Sequence, residues 1–316
     1  IAVNSGTSGL HLIVKALGIK EGDEIITTSF SFIASANAAL FEGARPVFVD
    51  IDKNTYNIDP GKIEVAITPK TKAILPVHVF GQTCDMDPII AIAKKHNLKI
   101  IEDSCEAIGA KYKNKKAGTF GDAAVFAFYP NKQMTTGEGG MIVTNNDEVA
   151  SLCKSYRNQG RDTMAWLGHS RIGYNYRLDE MSCALGVEQL KKIDTILNMR
   201  KDVAKKYLKK LANNKDITLP IVPNYNEESW FVFVIQVSDD TNRNKVVELL
   251  KERGVASNIY FPPIHLQKFY KDDFGFKEGD FPVTEAISKR TIALHFFSEL
   301  TDDELDYVCK SLVEAI

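Results

Sequence analysis

Residues 118–142 read GTFGDAAVFAFYPNKQMTTGEGGMI. Two glycines bracket its opening turn, and residues 123–128 form an uninterrupted apolar run. A run that short, bounded by turn residues, fits a strand buried on both faces. Tyr129-Pro130-Asn131 ends it, because proline has no N–H to extend a ladder. A second strand, residues 140–144, follows the glycine-rich turn. Lys132 therefore stands just past a strand end, walled by aromatics and glycines. A lysine in a partly buried turn suits Schiff-base chemistry. A solvated surface lysine is the commoner fate of that residue.

Moving outward, the first half alternates strand-like and helix-like stretches. Residues 1–4, 25–28, 46–50, 73–79 and 99–103 read as strands. Leu10, Ile13, Val14 and Leu17 repeat at helical spacing, and residues 87–95 read as a helix. This alternation predicts an α/β fold with a mostly parallel sheet flanked by helices. Composition shifts after Tyr176. Residues 179–211 read as long lysine-rich helices, with Lys205, Lys206, Lys209 and Lys210 on a solvated face. Beyond them come strands at 230–237 and 257–261, a helix at 242–253 and a last helix from Asp302. Leu305, Val308 and Leu312 stripe that helix. The expected division is a large domain over 1–178 and, over 179–316, linking helices with a small α/β domain. Residues 111–116 read as an exposed hairpin.

Bulk properties narrow the function. The chain has 316 residues, 44% hydrophobic and 25% charged, which argues for folded domains rather than disorder. A net charge of −2 argues against nucleic-acid binding. No apolar run approaches the roughly 20 residues of a membrane span. The five cysteines are scattered, and neither C-x-x-C nor H-E-x-x-H occurs. No metal site is expected, and reduced thiols in a cytoplasmic protein are. The chain opens in a strand, Ile1-Ala2-Val3, without a methionine, so further residues are expected before it.

Two other stretches carry chemistry. Asn4-Ser5-Gly6-Thr7-Ser8-Gly9 joins a strand to a helix. Free N–H groups and the helix dipole there make a phosphate cradle, or equally an ordinary turn. Neither the P-loop nor the dinucleotide fingerprint is present. Asp103 ends the strand at 99–103, where open α/β sheets bind ligands. A helix N-cap is the bland reading of that carboxylate.

Taken in order, NSGTSGLHL, SFIASANA, PVHVFGQTCDMDPI, IEDSCEAIGA, the 118–142 stretch and GYNYRLDEMSCALGVEQL resemble the DegT-type sugar aminotransferases. YFPPIHLQKFY and GDFPVTE extend the resemblance across the chain. The resemblance implies the aspartate-aminotransferase fold (type I) and pyridoxal 5'-phosphate (PLP) as cofactor. Lys132 would carry the cofactor and shuttle a proton. Asp103 would pair with the pyridine nitrogen. Gly6, Thr7 and Ser8 would hold the phosphate. Phe32 and Cys105 would cover the two ring faces, although either residue could simply be core. Asn175 would reach the phosphate of a neighbouring subunit in a homodimer.

Two positions depart from the family pattern. Ala127 stands where a phosphate-binding serine is frequent, and Glu106 where Gln or His is frequent near the cofactor hydroxyl. The resemblance implies a nucleotide-linked keto sugar as acceptor and L-glutamate as donor, feeding amino-sugar and polysaccharide biosynthesis. Tyr260, His265 and Arg177 would face the substrate, with Arg161 or Lys268 as further cations for a diphosphate. His265 reads equally as structural. The alternatives are a non-sugar cyclic ketone as substrate, or a non-catalytic interaction protein retaining the fold.

Overall fold

The computed structural model describes residues 1–162 and 168–316. In chain order the first strands are β1 (Ala2–Val3), β2 (Glu24–Thr28), β3 (Arg45–Val49), β4 (Thr71–Ile74) and β5 (Lys99–Asp103). A side hairpin, β6 (Lys111–Tyr112) and β7 (Lys115–Lys116), precedes β8 (Ala123–Ala127) and β9 (Gly140–Val143). The central sheet has seven strands in the order β1-β9-β8-β5-β4-β2-β3. Only β9 runs against its neighbours. It does so because the 128–139 turn doubles straight back: Phe128 N–H donates to Gly139 O, and Thr136 N–H to Phe128 O. A parallel partner would need a crossover connection.

Helices α1 (Gly6–Ala16), α2 (Ala34–Leu40), α3 (Met86–His96) and α4 (Asp147–Arg157) belong to this half. α1 packs on β8 and β9. Its buried face includes Leu10, Leu12, Ile13 and Val14. The strand expected over 73–79 stops at Ile74, since Pro76 lacks an N–H. Pairing with β5 resumes at a bridge between Val77 and Asp103.

The second half begins with α5 (Glu180–Lys191) and α6 (Ile193–Leu211). Next come β10 (Ile217–Thr218), β11 (Asn226–Glu227), β12 (Phe233–Val237), α7 (Arg243–Glu252), α8 (Lys268–Phe274), α9 (Pro282–Ser288), β13 (Thr291–Leu294) and α10 (Asp302–Ala315). β10, β12 and β13 form an antiparallel sheet. Its apolar core joins Val203, Tyr207, Phe233, Ile235, Leu305 and Leu312. Val234, Phe261 and Ala293 pack instead into the core of the large sheet. The strand expected over 257–261 is only a bridge from Asn258 to Ala293, because Pro262-Pro263 cannot extend it. No described helix is long and apolar enough to cross a membrane.

Candidate active site

β5 and β8 lie side by side and parallel, so the segments leaving their ends meet at one edge of the sheet. Asp103 is buried there. Ser35 Oγ donates to its Oδ2 at 2.7 Å, and Cys105 N–H donates to its Oδ1 at 3.1 Å. The Ser31 and Ser35 hydroxyls stand 2.8 Å apart. The turn carrying Phe32 is thereby tied to Asp103. Phe32 itself is 62% exposed, so it is not core.

Lys132 is held by its N–H to Tyr129 O at 2.9 Å, and its side chain is 13% exposed. Its ammonium donates to Glu106 Oε1 at 3.3 Å and lies 3.9 Å from the centre of the Phe231 ring. A cation over a desolvated ring face is held as well as oriented. Glu106 Oε2 accepts the Phe80 N–H at 2.9 Å. Phe80 sits in the left-handed region, φ 60°, to deliver that N–H. Gln133 Nε2 fastens the Glu106 carbonyl at 2.6 Å and Ser229 Oγ at 3.0 Å. Burial pushes the Glu106 carboxyl up, with Asp103 adding to the rise, against the pull of Lys132 and the Phe80 N–H. Burial, reinforced by Asp103, also pushes the Cys105 thiol well up, which leaves it a poor nucleophile.

The start of α1 faces the same edge. Ser5 caps it, accepting Ser8 N–H at 3.1 Å, and the two hydroxyls stand 2.9 Å apart. A Cβ on Gly6 would lie 2.8 Å from Cys105 Sγ and 2.9 Å from Ala127 Cβ. Only glycine lets the helix start so close to both strand ends.

The other expected residues spread outward. Tyr260 packs on Phe80 and Phe231, and burial, then Glu106, push its hydroxyl up. Asn175 is exposed and bridges to Asn158. Arg177 and Arg161 both donate to Asn158 Oδ1, at 3.0 and 2.9 Å. Lys268 pairs with Asp272 on its own helix. His265 departs from the expected substrate-facing position. It is fully buried, with Nδ1 at 2.6 Å from Ser29 Oγ and Nε2 at 3.1 Å from Glu285 Oε1. Both ring nitrogens are taken, so it locks the 264–266 turn and has none left for a ligand. Ser35, Phe80 and Phe231 were not anticipated. For Ser35 a signal existed in its i,i+4 spacing from Ser31.

The model of the DegT/DnrJ/EryC1/StrS aminotransferase family matches residues 1–313. The chain belongs to this family. GDP-perosamine synthase of Caulobacter vibrioides is 40% identical over 319 residues, covering 100% of this chain and 85% of that one. DesV of S. venezuelae superposes with a TM-score of 0.93 at 33% identity, covering 99% of this chain and 84% of its own. The PLP-form of the putative sugar aminotransferase Spr1654 from Streptococcus pneumoniae gives 0.94 at 28% identity, covering 100% and 86%.

This DegT-family member is a PLP-dependent aminotransferase. Its residues suit that cofactor. A little-exposed amine, a buried carboxylate at a strand end and a helix start that a Cβ would block converge on one edge of the sheet.

Proposed function

We propose that the enzyme aminates a nucleotide-linked keto sugar in the cytoplasm, with L-glutamate as donor, and so supplies an amino sugar for polysaccharide. The observation that carries this reading is the full-length similarity to a relative named for GDP-perosamine. Lys132 would hold the cofactor through its amine and would move a proton at the carbon that exchanges its amine. Asp103 would pair with the pyridine nitrogen and would keep it protonated. Gly6, Thr7 and Ser8 would hold the phosphate with helix-start donors. Phe32 and Cys105 would cover the ring faces, and Glu106 borders Lys132. When bound, the pyridoxal ring supplies an electron sink. Tyr260 and Arg177 frame the acceptor. The division into domains at residue 178 belongs to this reading.

A homodimer is part of the same proposal. α5 buries none of its residues, and Met181, Val187 and Leu190 are exposed along it. Ile172, Phe32 and Phe41 are exposed as well. Such apolar exposure favours a partner surface, and a second copy related by a two-fold axis would also let Asn175 reach the neighbour's phosphate.

The test is a panel of nucleotide-linked 3-keto and 4-keto sugars with L-glutamate, read by product mass. Amination of at least one is expected. If only free keto acids or non-sugar cyclic ketones are aminated, the sugar assignment fails. Sedimentation of an active monomer would remove the shared-site dimer.

A further inference from the structure

Beyond its first turn, α1 carries a second polar cluster. His11 and Lys15, four residues apart, stand on one face of the helix. Both reach Glu42, just past the end of α2. His11 Nε2 lies 2.7 Å from Glu42 Oε1, and the Lys15 ammonium donates to Oε1 at 3.0 Å and to Oε2 at 2.8 Å. The Tyr174 hydroxyl donates to Oε1 at 3.3 Å. Burial alone would raise the Glu42 carboxyl, but the bonds from Lys15 and His11 outweigh it and hold it low. Burial pulls the His11 imidazole down, against the pull of Glu42. A neutral imidazole facing a carboxylate carries its hydrogen on Nε2, which leaves Nδ1 to accept the Tyr176 hydroxyl at 3.4 Å.

This cluster sets the phase of the loop that carries Asn175. Tyr174 and Tyr176 point the same way, as alternate residues of an extended stretch do. Their rings stack 4.9 Å apart, and Tyr174 lies 4.8 Å from the His11 ring. Asn175, between them, is exposed. The loop backbone is bonded to the end of α4 and to the strand before α1: Tyr174 N–H donates to Tyr156 O at 2.6 Å, Tyr176 N–H to Arg157 O at 3.0 Å, and Asn4 N–H to Tyr176 O at 2.9 Å. Glu42 adds the tie to α2, the helix whose Ser35 holds Asp103.

We propose, on the reading of a shared-site dimer, that Glu42 is a positioning residue for the neighbouring subunit's site. It holds the Tyr174 and Tyr176 rings against α1, and so presents Asn175 to the cofactor phosphate of the neighbour. It touches no cofactor itself and acts through Tyr174 and, by way of His11, through Tyr176. Its removal therefore weakens cofactor binding in the other subunit and spares its own.

Hybrid dimers test it, made by co-expressing two differently tagged subunits and purifying through both tags. PLP is titrated, and only cofactor that borohydride fixes to Lys132 is counted. In the first hybrid, a Lys132→Ala subunit is paired with a Glu42→Ala subunit. Its one Lys132 site is served by an intact loop, so affinity should match that of a Lys132→Ala subunit paired with wild type. In the second, a subunit carrying both substitutions is paired with wild type. Its one Lys132 site is served by the loosened loop, so PLP should bind about two- to tenfold more weakly, the scale of one lost hydrogen bond. A merely structural role gives the reverse, a weak first hybrid and a normal second one, and overturns the proposal. Tyr174→Phe, which removes only the hydroxyl, should repeat the pattern if Glu42→Ala folds poorly. Asn175→Ala in the same two pairings separates the two levels. If Asn175→Ala weakens the second hybrid and neither Glu42→Ala nor Tyr174→Phe does, Glu42 loses its role and the shared site stands. If Asn175→Ala has no effect across the dimer, the shared-site reading itself fails.

Discussion

Glu102 and Asp103 are adjacent on β5 and face opposite sides of the sheet. The two sides are built to different standards. Glu102 is fully buried and saturated. Its Oε1 accepts N–H groups from Phe120 at 2.6 Å and Gly121 at 2.7 Å, and its Oε2 accepts Gly118 N–H at 2.8 Å. His78 Nε2 adds a contact at 3.1 Å. Because Cys84 N–H donates to His78 Nδ1, the hydrogen sits on Nε2 and points at the carboxylate. On the other side, among the described residues, Lys132 has one oxygen and one ring face, and the Glu106 carboxylate has a single N–H besides it. A saturated buried charge ties two segments together. A buried charge with spare donors can still accept a ligand.

The widest break in this comparison comes from Lys132→Ala. Turnover should fall by at least about 10⁴-fold, the upper range for a positioned proton carrier, while the melting temperature stays near wild type. After borohydride reduction, peptide mapping of wild type should find the cofactor on Lys132. A label elsewhere would contradict the assignment.

Glu102→Ala should do the reverse, costing about 3–5 kcal/mol of stability because His78 and three N–H groups lose their acceptor. Urea unfolding measures it, and turnover per folded molecule should change little. The pH signs also differ. Burial alone would raise the Glu102 carboxyl, but His78 and the N–H groups of Gly121 and Gly118 outweigh it and hold it low. Its contribution is complete above the ordinary value of 4.5 and is lost as pH falls through the lowered folded-state value. Glu106, held high, stabilises the fold below the ordinary value and loses that contribution as pH rises through its folded-state value. Acid unfolding of Glu102→Ala should therefore be flatter than that of wild type.

Most of the frame was legible because it lies in continuous runs. IIED of β5, AAVFA of β8 and the capped α1 carry their pattern within a few residues. β13 carries no such signal, since TIAL is four residues between Arg290 and His295 with no turn residue on either side. α8 and α9, seven residues each, are too short for a helical period to stand out. The Lys132–Asp103 edge was legible through resemblance. The bonds that set its chemistry were not, because Ser35 and Asp103 are 68 positions apart and Phe231 reaches Lys132 from the second half of the chain. The same holds for His11, Lys15, Glu42 and Tyr174, which come together around the Glu42 carboxylate.

Asp103→Asn sharpens the unsaturated side. The amide still receives one hydroxyl, but it cannot hold a pyridine nitrogen protonated as a carboxylate does. A drop of about 10²-fold in turnover with cofactor still bound is expected, on the scale of removing one preorganised electrostatic partner. Near-normal turnover would show that Asp103 belongs with Glu102 as a structural tie.

The smallest effect should come from Ala127→Ser. Ala127 ends β8, and its Cβ stands 2.9 Å from where a Gly6 Cβ would be, so its side chain faces the first turn of α1. A hydroxyl there adds a polar group beside the proposed phosphate cradle. One added hydrogen bond is worth about 0.5–1.5 kcal/mol, or roughly two- to tenfold tighter PLP binding. The opposing term is space, because the alanine already touches a helix start that tolerates no Cβ at position 6. If crowding dominates, the melting temperature of the apo-protein falls and cofactor affinity falls with it. If the hydrogen bond dominates, the apo-protein melts as before and only the loaded form gains. Cofactor titration together with melting of both forms separates the two. Unchanged melting with equal or weaker affinity would mean that the phosphate does not sit beside residue 127.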